Sequence, residues 1–232
     1  MGSMGSTGHI NVKAFCFNSF QENSYLLWNE SGDCVAVDPG CYDDAEYGAL
    51  KACIVSENLT PKAVWLTHGH FDHIFGAARL SRDYSIPVKM SPEDKFILGM
   101  DKEFAEGVGL EAPDVSFETF DLHDGDVLDD LEGGLFKVIA TPGHTPGCVC
   151  FYCEGCGVLI SGDTLFAGAI GRTDLVGGDY DKEIVGIMEK LMVLPGDVDV
   201  LPGHGPCSSI ARERTTNPFL QPFNEPWEDE TD

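Results

Sequence analysis

Short runs rich in apolar residues, separated by polar and glycine-containing turns, mark the early part of the chain and predict short strands over residues 12–17, 24–28 and 34–37. Ser31-Gly32-Asp33 supplies a turn between two of them, and Asp38-Pro39-Gly40 closes the third. Residues 45–57 then repeat their apolar positions at helical intervals. The unbroken apolar run Ala63-Val64-Trp65-Leu66 predicts a buried strand, and the amphipathic stretch 74–80 a helix. A strand near 87–90 is followed by Ser91-Pro92-Glu93-Asp94, a helix start with a capping serine and proline at the first position. Residues 100–115 are acidic and follow neither period.

The second half repeats the theme. Strands are predicted near 136–140, 149–153, 158–161 and 198–201, with helices over 181–194 and 210–217. Two strand-rich halves, each accompanied by helices, predict two sheets packed together with helices outside.

An apolar fraction of 43% over 232 residues is enough for one sizeable core. Residues 1–9, rich in glycine and serine, read as a leader outside the fold. Residues 10–222 read as a single domain, and 223–232 as an acidic tail. The net charge of −25 repels phosphates and anionic lipid, so neither nucleic acid nor membrane is expected as a partner. No apolar run reaches the roughly 18–20 residues that span a bilayer, and no secretion signal is visible. The nine cysteines are therefore expected as reduced thiols in a cytoplasmic protein. Cys148, Cys150, Cys153 and Cys156 have spacings that invite a zinc or iron–sulfur site. Strand alternation puts Cys150 and Cys153 on opposite faces, so structural thiols are the expectation.

Candidate chemistry concentrates in Thr67-His68-Gly69-His70-Phe71-Asp72-His73. Histidine is the commonest metal ligand, and here it recurs on alternate residues where a strand gives way to a helix. Alternate residues of an extended loop point His68 and His70 the same way. Asp72 and His73, at the helix start, can face a second position, so one loop can serve two metal ions. The competing reading is a polar loop that happens to be rich in histidine. Three further strands end in a glycine turn and one potential ligand each: His144 after Thr141-Pro142-Gly143, Asp163 after Ser161-Gly162, and His204 after Pro202-Gly203. Each is weak alone and strong beside the first motif. His9 lies in the leader, and His123 sits in a polar loop expected to be solvated.

The set His68-x-His70-x-Asp72-His73, His144, Asp163 and His204 resembles the metallo-β-lactamase-fold hydrolases, over about residues 11–220. The resemblance implies an α+β fold, an αββα sandwich of two mixed sheets with helices on the outer faces. It implies two divalent metal ions, zinc first, with iron or manganese as alternatives. His68, His70 and His144 would hold one ion, Asp72, His73 and His204 the other, and Asp163 would bridge them. Asp38 matches an acid that orients a ligand histidine. Asp72 also matches a catalytic residue that orients the attacking hydroxide.

Gly162-Asp163-Thr164-Leu165-Phe166, Gly171-Arg172-Thr173-Asp174, Gly203-His204-Gly205-Pro206 and Glu213-Arg214-Thr215-Thr216-Asn217-Pro218-Phe219-Leu220 are similar to the small glyoxalase II-like subgroup. That similarity implies a small-molecule acyl thioester of the hydroxyacylglutathione type as substrate, hydrolysed by a metal-bridging hydroxide. Arg172 aligns with a basic residue that reaches toward glutathione in those enzymes; its alternative is to pair with Asp174. Glyoxalase II has a further helical C-terminal region that helps hold glutathione, whereas this chain ends soon after its last predicted helix. Thioester hydrolysis is therefore implied more firmly than glutathione specificity. Persulfide dioxygenases share the fold and much of the motif set and use a single iron, which gives a rival enzyme class. A metal-binding module without activity is the remaining alternative.

Overall fold

Sheet one begins where the early apolar runs predict strands. The computed structural model describes residues 10–100, 102–131 and 136–221. Strands β1 (Asn11–Phe17), β2 (Glu22–Trp28) and β3 (Asp33–Val37) form an antiparallel meander. Helix α1 (Asp44–Ser56) then crosses over to β4 (Thr60–Trp65), parallel to β3. The Asp43 carboxylate caps α1 by accepting from the backbone N–H groups of Ala45 and Glu46. Helix α2 (Ala77–Tyr84) leads to β5 (Val88–Met90), and after the short helix α3 (Lys102–Gly107) the sheet ends with β6 (Thr119–Asp121). The order is β1-β2-β3-β4-β5-β6.

Sheet two comprises β7 (Val127–Leu128), β8 (Phe136–Ala140), β9 (Val149–Cys153), β10 (Val158–Gly162), and later β13 (Asp199–Pro202) and β14 (Ser208–Ser209). Its order is β14-β13-β10-β9-β8-β7. The small ribbon β11 (Leu165–Phe166) and β12 (Ala169–Ile170) lies between, followed by α4 (Tyr180–Gly186); α5 (Ile210–Thr216) closes the described chain. The sheets are mixed, as expected.

Three apolar layers follow from the alternation. Tyr25, Leu27, Val35, Val37, Ala63 and Trp65 point from sheet one toward Val138, Val149, Phe151 and Ile160 of sheet two. The intervening residues Leu26, Cys34, Ala36 and Val64 face Leu50, Ile54, Ala77 and Leu80 of α1 and α2. On the far side, Cys150, Tyr152, Leu159 and Val200 meet Ile184, Ile187, Leu191 and Ile210. Helix, sheet, sheet and helix are thus stacked in that order.

Some expectations are corrected. The helix predicted over 74–80 begins at Ala77, after a 3-10 turn over Phe71–His73. Ser91 does cap Glu93, but only a 3-10 turn (Pro92–Asp94) follows. The helix predicted over 181–194 ends α4 in a π-turn, Ile187–Leu191. Pro195 bars residue 194 from helical geometry, and Arg214 donates to the freed carbonyls of Met192 and Leu194. The nine cysteines are not all free thiols: Cys153 and Cys156 form a disulfide across the β9–β10 turn, which brings their Cα atoms to 5.3 Å. Cys150 and Cys153 do face opposite layers. No helix among the described residues is long and apolar enough to cross a membrane. The predicted leader, 1–9, and tail, 223–232, lie outside the described residues.

Candidate metal centre

Strand direction decides where the chemistry gathers. β3 and β4 run parallel, so Asp38 and the 67–73 loop leave sheet one at the same edge; Asp38 N–H donates to the Trp65 carbonyl at 3.0 Å. In sheet two, β8 and β10 are both antiparallel to β9, and β13 is parallel to β10. The ends of β8, β10 and β13 therefore share one edge, which delivers His144, Asp163 and His204 to one place. Val149 N–H donates to the Thr67 carbonyl at 2.9 Å and joins the two edges.

The structure brings all seven predicted ligand residues together. His68, His70 and His144 converge as one group, and Asp72, His73 and His204 as another, each with its ligand atoms within 4.8 Å. Nδ1 of His70 lies 2.9 Å from Nε2 of His144. Nε2 of His73 lies 3.2 Å from Nε2 of His204, and 3.8 Å from Oδ2 of Asp72. Asp163 spans the two groups: Oδ1 is 3.4 Å from Nε2 of His73, and Oδ2 is 3.6 Å from Nε2 of both His144 and His204.

Ring orientation is set by what each outer nitrogen touches. Nδ1 of His144 donates to the Arg172 carbonyl at 2.7 Å, and Nδ1 of His204 to the Phe20 carbonyl at 3.1 Å. Nδ1 of His73 faces Oδ2 of Asp38 at 3.1 Å. The Thr67 hydroxyl donates to the same Asp38 oxygen at 2.6 Å, which leaves Oγ1 to accept from Nδ1 of His68 at 3.0 Å. Each of these four rings thus has Nδ1 engaged and turns Nε2 inward, the orientation a metal ligand needs. His70 is the exception, presenting Nδ1. A third convergent group, Asp38 with His68 and His73, is already saturated by these hydrogen bonds. Asp38 pays for its place with a left-handed backbone, φ +46°.

Two buried atoms bear on whether these residues fit a metal. Nε2 of His68 and Oδ1 of Asp163 are buried and lack any hydrogen-bond partner. Orphaned buried lone pairs aimed into a nest of histidine nitrogens fit a cation. The donor set of five imidazoles and two carboxylates fits divalent zinc, iron or manganese.

Charge follows the same geometry. Burial, with the neighbouring His73, holds His68 well below the usual imidazole range. Burial, with His144, lowers His70 to about 4. At Asp163, burial would favour the neutral acid, but His73 beside it wins and the carboxyl titrates well below its usual range. At Asp72, burial is likewise outweighed by His73 and His204, and the carboxyl is lowered. His73 is correspondingly raised, the two carboxylates overcoming its burial.

Arg172 does not stand free. Its guanidinium makes a paired contact with Asp174, Nε to Oδ1 at 2.7 Å and the terminal nitrogen to Oδ2 at 2.8 Å. Its clear link to the centre is through its carbonyl on His144. His123 is exposed, as expected, and faces Asp126.

Sequence reasoning missed buried acids behind the centre, Glu183 and Asp94 among them. Glu183, fully buried on α4, accepts from the His144 N–H at 2.8 Å; burial raises it to about 8. Asp94, also fully buried, accepts from Gly69, Thr145 and Gly147. The available signal at Glu183 was an acid four residues before Ile187 and beside Ile184 on an apolar stripe. Asp94 gave none, because an acid in a first helical turn is ordinary.

Comparison with known proteins agrees with this geometry. Residues 18–204 match the model of the metallo-beta-lactamase superfamily. The chain is 35% identical over 213 residues to hydroxyacylglutathione hydrolase GloC of Haemophilus influenzae, covering 91% of this chain and 98% of that one. It is 38% identical over 207 residues to the probable metallo-hydrolase YqgX of Bacillus subtilis, covering 88% and 94%. Among solved structures, TTHA1623 in a di-iron-bound form superposes with a TM-score of 0.80 at 36% identity, covering 90% of this chain and all of that one. With its two-sheet sandwich and its His/Asp centre at the shared strand edge, the chain belongs to the metallo-beta-lactamase superfamily.

Proposed function

We propose that this metal-dependent hydrolase cleaves an activated acyl bond, a thioester of the hydroxyacylglutathione type. The observation that carries the reading is the convergence of seven ligand residues around two orphaned buried atoms, Nε2 of His68 and Oδ1 of Asp163. The thioester class is supported by the full-length similarity to a hydroxyacylglutathione hydrolase.

In this reading His68, His70 and His144 would hold one divalent ion and Asp72, His73 and His204 a second, with Asp163 placed between the two groups. Two ions bound there would supply a water-derived nucleophile at neutral pH and polarise the substrate carbonyl. The residues do the rest. Asp72, lowered and ionised beside His204, is an acceptor that fixes the proton of the attacking water. Asp38 and the carbonyls of Arg172 and Phe20 keep His73, His144 and His204 in the ligating tautomer. No serine or cysteine nucleophile is needed, because water activated by the bound ions would attack, and no strong acid is needed, because a thiolate is a good leaving group. With Arg172 engaged by Asp174, the glutathione moiety is the less constrained half of the substrate.

Elemental analysis of protein purified without added metal or chelator, followed by a panel of acyl thioesters, tests the proposal. About two equivalents per chain, thioester turnover, and loss of that turnover in His70→Ala are expected. One equivalent of iron with oxygen-dependent persulfide consumption would replace the proposal with the rival dioxygenase activity.

A further inference from the structure

The first group of histidines comes from two loops on different sheets, and one side chain joins those loops from behind. Oδ2 of Asp94 accepts from the Gly69 N–H at 3.0 Å, and Gly69 lies between His68 and His70. The same oxygen accepts from the Thr145 hydroxyl at 2.6 Å, next to His144. Oδ1 accepts from the Gly147 N–H, also at 2.6 Å. Asp94 is fully buried, so all three donors are held without competition from water.

The surroundings are shaped to admit this carboxylate. A Cβ on Gly147 would stand 2.6 Å from Oδ1 of Asp94 and 2.7 Å from its backbone nitrogen. A Cβ on Gly69 would meet the Asp94 carbonyl oxygen at 3.1 Å and Cβ of Ile97 at 3.2 Å. Both loops therefore approach Asp94 at points where a larger residue would force them apart. Asp72, His73 and His204 have no hydrogen bond to Asp94; their supports are Asp38 and the Phe20 carbonyl.

We infer that Asp94 is a positioning residue for the first metal subsite alone: by clamping the His68–His70 loop to the His144 loop, it sets the spacing of the three imidazoles and hence the affinity of that subsite. The inference rests on the ligand assignment proposed above. It requires a carboxylate. An asparagine of the same shape turns one acceptor oxygen into an N–H₂ donor, which must then face the N–H or O–H of a loop it should hold.

The two subsites can be read separately. In a His204→Ala background only the first subsite keeps its full set of side-chain groups, and in His70→Ala only the second. Cobalt(II) affinity of the full chain, stripped of metal and titrated against a competing chelator, is measured with and without Asp94→Asn in each background. The expected result is a loss of about 10–100-fold in the His204→Ala background, the range typical of outer supports of metal ligands. In the His70→Ala background the affinity should stay within about threefold. Equal losses in both backgrounds, or none in either, would overturn the inference. If circular dichroism shows Asp94→Asn unfolded, Thr145→Val in the same backgrounds decides. It removes one limb of the clamp, together with a 3.0 Å contact to Sγ of Cys148. A loss confined to the first subsite supports the inference, and unchanged affinity there defeats it. If His204→Ala with Asp94 intact binds no cobalt, the ligand assignment itself fails, and the inference with it.

Discussion

Nδ1 of His70 stands 2.9 Å from Nε2 of His144, so two imidazoles from different sheets share one small space. A second proton there is costly, and burial together with His144 lowers His70 to about 4. An unfolded histidine titrates near 6.5. Between those values the unfolded chain holds the extra proton, so stability falls as pH drops from about 6.5 toward 4 and is full above 6.5. His73 and His204 are shifted upward and act in the opposite sense, so the wild-type curve alone is a mixture. The difference in Tm between metal-free wild type and His70→Asn isolates the contribution. It should move against the wild type as pH is lowered from 7 to 5; a difference that does not vary with pH would sink the argument.

Asp38→Asn should weaken metal binding about 10–100-fold while leaving the fold intact. Asn tolerates the left-handed backbone at this position, φ +46°, nearly as well as Asp. The amide cannot accept from the Thr67 N–H, the Thr67 hydroxyl and Nδ1 of His73 together, as the carboxylate does. The check is competition with a chromophoric chelator beside a far-UV spectrum. Unchanged affinity would mean that His73 needs no such partner.

The sandwich was legible because its central strands are short apolar runs whose successive residues serve different layers. Tyr25 and Leu27 face one layer while Leu26 faces the other, and Phe151 and Tyr152 divide in the same way. The ligands were legible because four of the seven lie in one motif and the rest each follow a strand and a glycine. The nitrogen used by His70 was not legible, since it depends on loop geometry between sheets. Asp94 and Glu183 stayed hidden because a buried acid beneath a loop and a helical surface acid look alike in one dimension. The Cys153–Cys156 bridge was missed for a similar reason: only the closeness of the β9–β10 turn distinguishes it from two structural thiols. Arg172 was given two readings, and its head group pairs with Asp174 in this structure.

Trp65→Ala should destabilise the protein by about 3–5 kcal/mol. The ring is fully buried between the sheets, with centroids 5.3 Å from both Phe136 and Phe151, and Nε1 donates to Asp130 at 2.9 Å. Removing it opens a cavity between two rigid sheets that cannot close over it. Urea unfolding of the metal-free protein reads the loss. A change below about 1 kcal/mol would imply that the layer repacks, contrary to the usual behaviour of aromatic cores.

Gly203→Ala separates the centre from the fold. A Cβ at position 203 would lie 2.2 Å from Oδ1 of Asp163 and 2.7 Å from Cε1 of His73. Both atoms belong to side chains that the chain can move only by disordering the centre. The backbone around Gly203 is tied down on two sides: its N–H donates to the Gly162 carbonyl at 2.8 Å, and its carbonyl accepts from the Asn23 N–H at 2.7 Å. The methyl cannot be relieved by shifting the strand, so Asp163 and His73 must give way. Metal content should therefore fall and hydrolysis drop by at least about tenfold, equivalent to 1.4 kcal/mol in the barrier. Thermal unfolding of the metal-free protein should change far less than it does for Trp65→Ala, because Gly203 lies at the edge of sheet two and adds nothing to its apolar layers. Full metal occupancy and normal turnover in Gly203→Ala would show that Asp163 and His73 can serve the centre from another position, and the close packing at 203 would then have no bearing on the chemistry.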